Sequence, residues 1–247
     1  MGVKLLEQAA KNVLRTSMEL GGNAPFLVFD DADIDAAVAG AMLAKMRNIG
    51  QACTAANRFI VQKSVADEFA SKFAAKMGEL RLGRGVDPET TVGPVIDEKA
   101  RANMERLVEL TVSEGGDIAT GGKKPEGAGY FYEPTVLTNV PANASILKEE
   151  IFGPVAPIVT FETEEQGVSI ANDTVYGLVS YAYTEDARRA MRLVDSLETG
   201  MTGINTGLVS NAAAPFGGVK QSGLGREGGA EGIAEYLETR YVLMPNS

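Results

Sequence analysis

Cys53 is the only cysteine in the chain and lies in Gly50-Gln51-Ala52-Cys53-Thr54-Ala55-Ala56-Asn57-Arg58, a stretch of small and polar residues just past a predicted helix end. A thiol in such a loop can meet a ligand, but a free cysteine is also among the side chains most often buried as filler. The loop alone serves either role. Glu19 shifts the balance. It stands in Met18-Glu19-Leu20-Gly21-Gly22-Asn23, ending a short extended segment, and the two glycines after it leave backbone that a ligand could approach. A thiolate and a carboxylate suffice for acyl chemistry. The sulfur attacks a carbonyl carbon, and the carboxylate takes a proton from the water that later hydrolyses the thioester.

Composition closes most other routes. The 247 residues include no histidine, which excludes Ser-His-Asp triads, Cys-His dyads and His-ligated zinc. One cysteine permits neither an intrachain disulfide nor a cysteine-cluster metal site, so no metal is expected. Any nucleophile must be Cys53, Ser, Thr or Lys, and any base a carboxylate, lysine or tyrosine. Twenty-three basic against thirty-three acidic residues give a net charge of −10, which repels nucleic acid and anionic membranes, and no basic patch overrides it. Met1 to Val13 interleaves Lys4, Glu7 and Lys11 with apolar residues, unlike a signal peptide. No apolar run approaches the roughly 18 residues that span a bilayer. A cytoplasmic location is expected, with no nucleic-acid or membrane partner. The acceptor patterns at Asn143 and Asn172 then carry no glycosylation.

The elements that must position these residues alternate between two rhythms. Helices are predicted over 3–14, 33–47, 64–80, 98–114 and 185–197, and strands over 25–29, 58–62, 155–161, 178–183, 202–205 and 241–244. The second helix is the clearest: acids gather at its start, Lys45 and Arg47 at its end, and Gly50 stops it. Residues 81–94 read as a Gly- and Pro-rich loop. Helices between apolar strands predict an α/β fold, a mostly parallel sheet flanked by helices. Gly223-Leu224-Gly225-Arg226-Glu227-Gly228 matches GxGxxG by letter. No apolar strand precedes it and too little chain follows for a ribose-binding acid, so it is not read as a dinucleotide site.

Four ordered motifs closely resemble the NAD(P)-dependent aldehyde dehydrogenases. They are Glu19-Leu20-Gly21-Gly22, Gly50-Gln51-x-Cys53, Glu149-Glu150-Ile151-Phe152-Gly153-Pro154 and Pro215-Phe216-Gly217-Gly218-x-Lys220-x-Ser222-Gly223. The resemblance runs from Gly2 to the C-terminus and implies the following roles. Cys53 would be the nucleophile and Glu19 the base for deacylation. Glu150 would bond the ribose of NAD or NADP, and Phe152 would pack beside the nicotinamide. Arg47 and Ser210 lie where succinate-semialdehyde dehydrogenases hold the substrate carboxylate. A guanidinium fork suits that task, although capping the helix C-terminus would suit Arg47 as well. Glutarate semialdehyde, one methylene longer, and a generic aldehyde remain alternatives. So does a non-catalytic assembly module, because members of the resembled family are nearly twice as long. Gly2 aligns with the last glycine of their Gly-Ser-Thr-x-x-Gly turn. The chain is therefore expected to be a truncated, catalytic-domain portion without most of the cofactor-binding domain or the oxyanion asparagine, and inactive alone. Its expected organisation is a cofactor-domain remnant over 1–21, a catalytic domain over 22–222, and a C-terminal helix and oligomerisation strand over 223–247, forming a homo-oligomer in the intact enzyme. Ala55 replaces a second cysteine that some members of that family carry, which excludes a regulatory disulfide there.

Overall fold

A computed structural model describes residues 1–245. The chain runs through α1 (Gly2–Ala10), β1 (Met18–Glu19), β2 (Ala24–Val28), α2 (Ile34–Met46), β3 (Ala56–Gln62), α3 (Ala66–Gly78), α4 (Glu98–Ser113), β4 (Asp117–Thr120) and β5 (Thr135–Thr138). It continues through β6 (Val155–Phe161), α5 (Glu164–Asn172), β7 (Tyr176–Gly177), β8 (Val179–Tyr183), α6 (Ala187–Ser196), β9 (Met201–Ile204), β10 (Val219–Lys220) and β11 (Gly223–Leu224). Seven strands form one sheet in the order β4-β5-β6-β3-β2-β8-β9. Every neighbouring pair is parallel except the antiparallel edge pair β4–β5.

The central strands are apolar on both faces, as a sheet covered by helices on each side requires. On one face Phe26, Phe59, Val61, Tyr181 and Tyr183 pack against Ala37 and Ala41 of α2 and Phe69 and Phe73 of α3. On the other, Leu27, Ile60, Val159 and Phe161 pack against Met104 and Leu107 of α4 and Leu193 of α6. The rings of Phe26, Phe59, Phe69 and Phe73 form a chain with centroid separations of 4.9 to 6.5 Å. Capping sets the helix starts: Asp33 accepts from the Ala36 N–H at 3.0 Å, and Asp97 from the Ala100 N–H at 2.8 Å.

The α/β sandwich and its mostly parallel sheet match the sequence expectation, and most element boundaries agree within about two residues. Several details differ. α1 stops at Ala10 because the chain turns there, with Val13 at φ 52°. α2 ends at Met46 rather than at Gly50, since Arg47 turns extended and Asn48 and Ile49 both lie at φ 51°. Lys45 lies in the last turn of α2, as expected, but does not face solvent there. It is fully buried, its Nζ has no partner among the described residues, and burial pushes its pKa down to about 7.

The expected C-terminal helix is a short 3₁₀ turn over Gly232–Tyr236, in a segment too rich in glycine for an α-helix. The strand expected over 241–244 is not formed: those residues are exposed and find no ladder partner among the described residues. The last two residues of the expected 223–247 unit lie outside the described residues. Segment 223–228 is not a strand-to-helix turn, since β11 pairs antiparallel with β1 and ties the two ends of the chain together.

Phe59→Ala, which empties the middle of the aromatic chain, should cost about 3–5 kcal/mol. Urea unfolding should show a lower midpoint with an unchanged slope. A loss below about 1 kcal/mol would mean that the ring is not a core element.

Candidate active site

Three loops meet at one edge of the sheet. Leu20–Asn23 leads into β2, Gln51–Ala55 into β3, and Glu149–Pro154 into β6, and these strands are adjacent in the order β6-β3-β2. Glu19, Cys53 and Glu150 are therefore gathered at the amino ends of parallel strands. Ligands in open α/β sheets more often sit at the carboxyl ends. Because α2 runs antiparallel to the strands, it returns Arg47 to the same edge.

Asn23, Asn57 and Arg58, three polar residues that the sequence did not single out, lock the loops together. Arg58 is 1% exposed. Its Nε and Nη2 donate to the Asn23 carbonyl at 3.0 and 2.9 Å, and Nη1 and Nη2 donate to the Ile170 and Ala171 carbonyls at 2.8 Å. The Asn57 amide donates to Asn23 Oδ1 at 2.6 Å and to the Glu149 carbonyl at 2.8 Å, while its Oδ1 accepts from the Ile151 N–H at 3.2 Å. Asn57 thus grips the backbone on both sides of Glu150. Asn23 donates in turn to the Leu147 carbonyl at 2.9 Å.

The glycines after Glu19 serve this packing. The expected open approach is filled from within the protein: a Cβ at Gly22 would strike the Cys53 carbonyl, and one at Gly21 would lie 2.7 Å from Glu150 Oε2. The Gly22 N–H donates to Glu150 Oε1 at 2.9 Å. From the other side Ser222 braces the turn. Its hydroxyl donates to the Gly21 carbonyl at 2.7 Å, and its own carbonyl accepts from the Leu20 N–H at 3.0 Å.

The electrostatics follow from this crowding. Burial and the negative charge of Glu227 push Glu19 up to about 7, with Arg226 opposing, and its Oε2 is buried without a hydrogen-bond partner. Burial pushes the Cys53 thiol up, and the charges of Glu19 and Glu150 add to this. The Cys53 and Thr54 N–H groups pull the other way. Burial also raises Glu150, and its bond from Gly22 opposes the rise. A carboxylate near 7 can both hold and release a proton at neutral pH.

The remaining candidates fall beside this centre. Arg47 Nη1 donates to Ser210 Oγ at 3.3 Å, so the pair expected to hold a carboxylate is brought together, and both residues are exposed. Phe152 is 41% exposed at φ 53°. A cavity of about 400 Å³ opens between Gly2 and Leu6 of α1, Leu20, Glu150 and Tyr176. Its mixture of apolar wall, glycine backbone and one half-buried carboxylate fits a flat heterocycle joined to a sugar hydroxyl. Among the described residues no cluster of potential metal ligands occurs, and no helix is long and apolar enough to cross a membrane.

A model of the aldehyde dehydrogenase family matches residues 1–242. The chain is 60% identical over 242 residues to a succinate-semialdehyde dehydrogenase of Paenarthrobacter nicotinovorans, covering 98% of this chain and 54% of that protein. It is 51% identical over 244 residues to a glutarate-semialdehyde dehydrogenase of Pseudomonas putida, covering 99% and 50%. The crystal structure of an NADP-dependent enzyme of E. coli superposes with a TM-score of 0.94 at 51% identity, covering 96% of this chain and 49% of that one. The chain spans about half the length of the curated relatives it matches.

Burial raises the Cys53 thiol and the charge of Glu19 adds to the rise, so removing that charge should ease ionisation. Glu19→Gln should therefore speed iodoacetamide alkylation of Cys53 by about two- to tenfold in mildly alkaline solution, where Glu19 is ionised in the parent. An unchanged rate would separate the two groups electrostatically.

Proposed function

Because the chain belongs to the aldehyde dehydrogenase family, we propose that it forms the catalytic part of an enzyme that oxidises succinate semialdehyde to succinate. The reading rests chiefly on the thiol of Cys53 and the raised carboxylate of Glu19 lying at the same end of the sheet, close enough for the charge of Glu19 to act on the thiol. In it, Cys53 Sγ bonds to the aldehyde carbon while the carbonyl oxygen takes up the thiol proton, giving a thiohemiacetal whose O–H proton passes to water as the hydride leaves. NAD or NADP, when bound, supplies the acceptor for the hydride that leaves that carbon. Glu150 would hold the cofactor in the cavity beside α1, whose half-buried carboxylate and glycine walls suit it, and the exposed Phe152 would pack beside the nicotinamide. Glu19 then takes a proton from water, the oxygen adds to the thioester carbon, the C–S bond breaks and the acid departs. A base near 7 makes this last stage faster as pH rises through neutrality.

Arg47 and Ser210 would receive the distal carboxylate, at positions exposed enough to meet it and already in contact with each other. The 60% identical succinate-semialdehyde dehydrogenase supports the four-carbon substrate. The glutarate-semialdehyde relative at 51% supports a second reading with one more methylene, which the same guanidinium would hold. The proposed units are 1–21 with a cofactor-binding portion, 22–222 for the chemistry, and the tail for contact with another subunit. The exposed Tyr236, Leu237, Tyr241, Val242, Leu243 and Met244 fit the last role. A lone cysteine fits a reducing, cytoplasmic compartment.

The test compares two aldehydes in an enzyme that joins this chain to a cofactor-binding portion. Arg47→Ala should raise KM for succinate semialdehyde and lower kcat/KM by about 1.5–3 kcal/mol, the scale of a hydrogen bond to a charged group. Butanal lacks the carboxylate and should be nearly indifferent. Equal losses on both would remove the semialdehyde reading.

A further inference from the structure

Tyr181 lies on β8, two strands away from the strand that follows Cys53, and is 2% exposed. Its ring packs against Phe26 of the intervening strand with centroids 5.9 Å apart. From there its hydroxyl donates to the Thr54 carbonyl at 2.8 Å. Only about 10 Å³ remains between Tyr181, Arg47, Thr54, Ala55 and Leu208, room for about one water, so the phenol has little freedom to turn away. The turn it touches is closed by the Ala55 N–H donating to the Ala52 carbonyl at 3.0 Å, and Gly22 packs on the Cys53 carbonyl from the other side.

We propose that Tyr181 is a positioning residue for Cys53: its hydroxyl fixes the Ala52–Ala55 turn so that the Cys53 and Thr54 N–H groups face the sulfur. The inference rests on the reading of Cys53 as the nucleophile and names a group outside the motifs that carried that reading. It also explains why a strand-borne tyrosine is spent on a loop carbonyl. Thr54 has a buried backbone acceptor that needs a partner, and a rigid aromatic arm satisfies it without the rotamer freedom of a longer chain. The charged and titratable groups facing the thiol are Glu19 on β1, Glu150 on the loop before β6, and Tyr181 itself, with Arg47 beside the phenol.

Tyr181→Phe keeps the ring and deletes only the donor. The Thr54 carbonyl loses its partner, the turn relaxes, and the two N–H groups no longer favour the thiolate. The expected result is an upward shift in the pH profile of Cys53 alkylation, with the rate at neutral pH falling about three- to tenfold, the span of half to one pKa unit. Tyr183→Phe is the control. Tyr183 is on the same strand and stacks on the same Phe26 ring at 5.2 Å, with no hydrogen bond to the loop, so its loss should alter stability alone. Thermal unfolding of both variants shows that each is folded.

An unchanged profile in folded Tyr181→Phe, or equal shifts in the two variants, would overturn the inference. The underlying reading is judged separately by Cys53→Ala. Aldehyde turnover surviving in that variant, once the chain is joined to a cofactor-binding portion, would remove the nucleophile assignment while leaving the alkylation result standing.

Discussion

The buried guanidinium of Arg58 is the constraint on which the rest of the site depends. Its hydrogen bonds run to the main-chain carbonyls of Asn23, Ile170 and Ala171, and burial lowers its pKa to about 10 with Asp173 opposing. A charge withdrawn from water is tolerable only when its donors are met, and carbonyl dipoles meet them here. The consequence is geometric. Asn23 ends the loop that carries Glu19, Arg58 follows the loop that carries Cys53, and 170–171 belong to α5. One side chain therefore ties three distant segments to a common origin. Removing it would strand several carbonyls as well as a cavity, which is why its role is to fix position more than to add stability.

Asn57 and the glycines extend this fixation to individual atoms. Asn57 holds the peptide groups on both sides of Glu150, and Gly22 lets the Cys53 carbonyl pack against the loop after Glu19. Burial raises the pKa of all three groups, with Glu227 adding to it at Glu19 and the charges of Glu19 and Glu150 adding to it at Cys53. That burial is unfavourable for the folded state, and it leaves Glu19 able to exchange a proton near neutrality. Left-handed backbone at Asn48 and Ile49, just before the Cys53 loop, is a further local strain; a β-branched residue rarely adopts it.

Much of this was legible in the sequence, for identifiable reasons. The absence of histidine and the single cysteine narrowed the nucleophile to Cys53, Ser, Thr or Lys and the base to a carboxylate, lysine or tyrosine, and the four motifs pointed to Cys53 and Glu19 among them. Apolar runs separated by amphipathic helices gave the α/β class. Asp33 and the acids near it marked α2. The hub was not legible, because Asn23, Asn57 and Arg58 read as ordinary loop polars until the fold brings 58 to 170. Strands β4 and β5 are four residues each, too short for a period to register. α5 offered a signal that was passed over: Thr163 and Gln166 have capping-box spacing, and Thr163 Oγ1 accepts from the Gln166 N–H at 3.3 Å. Tyr241 to Met244 has strand composition, but the oligomerisation strand expected there needs a ladder partner, and within one chain these residues find none among the described residues.

The central claim is that Cys53 and Glu19 act in turn on one acyl group. It can be tested on the 247-residue chain without any cofactor. The chain and its Glu19→Gln variant are incubated with an activated p-nitrophenyl ester, and the mass of the Cys53 peptide is followed over time. The account predicts an acyl group on Cys53 that clears in the parent and accumulates in Glu19→Gln. No acylation at Cys53, or the same lifetime in both proteins, would contradict it.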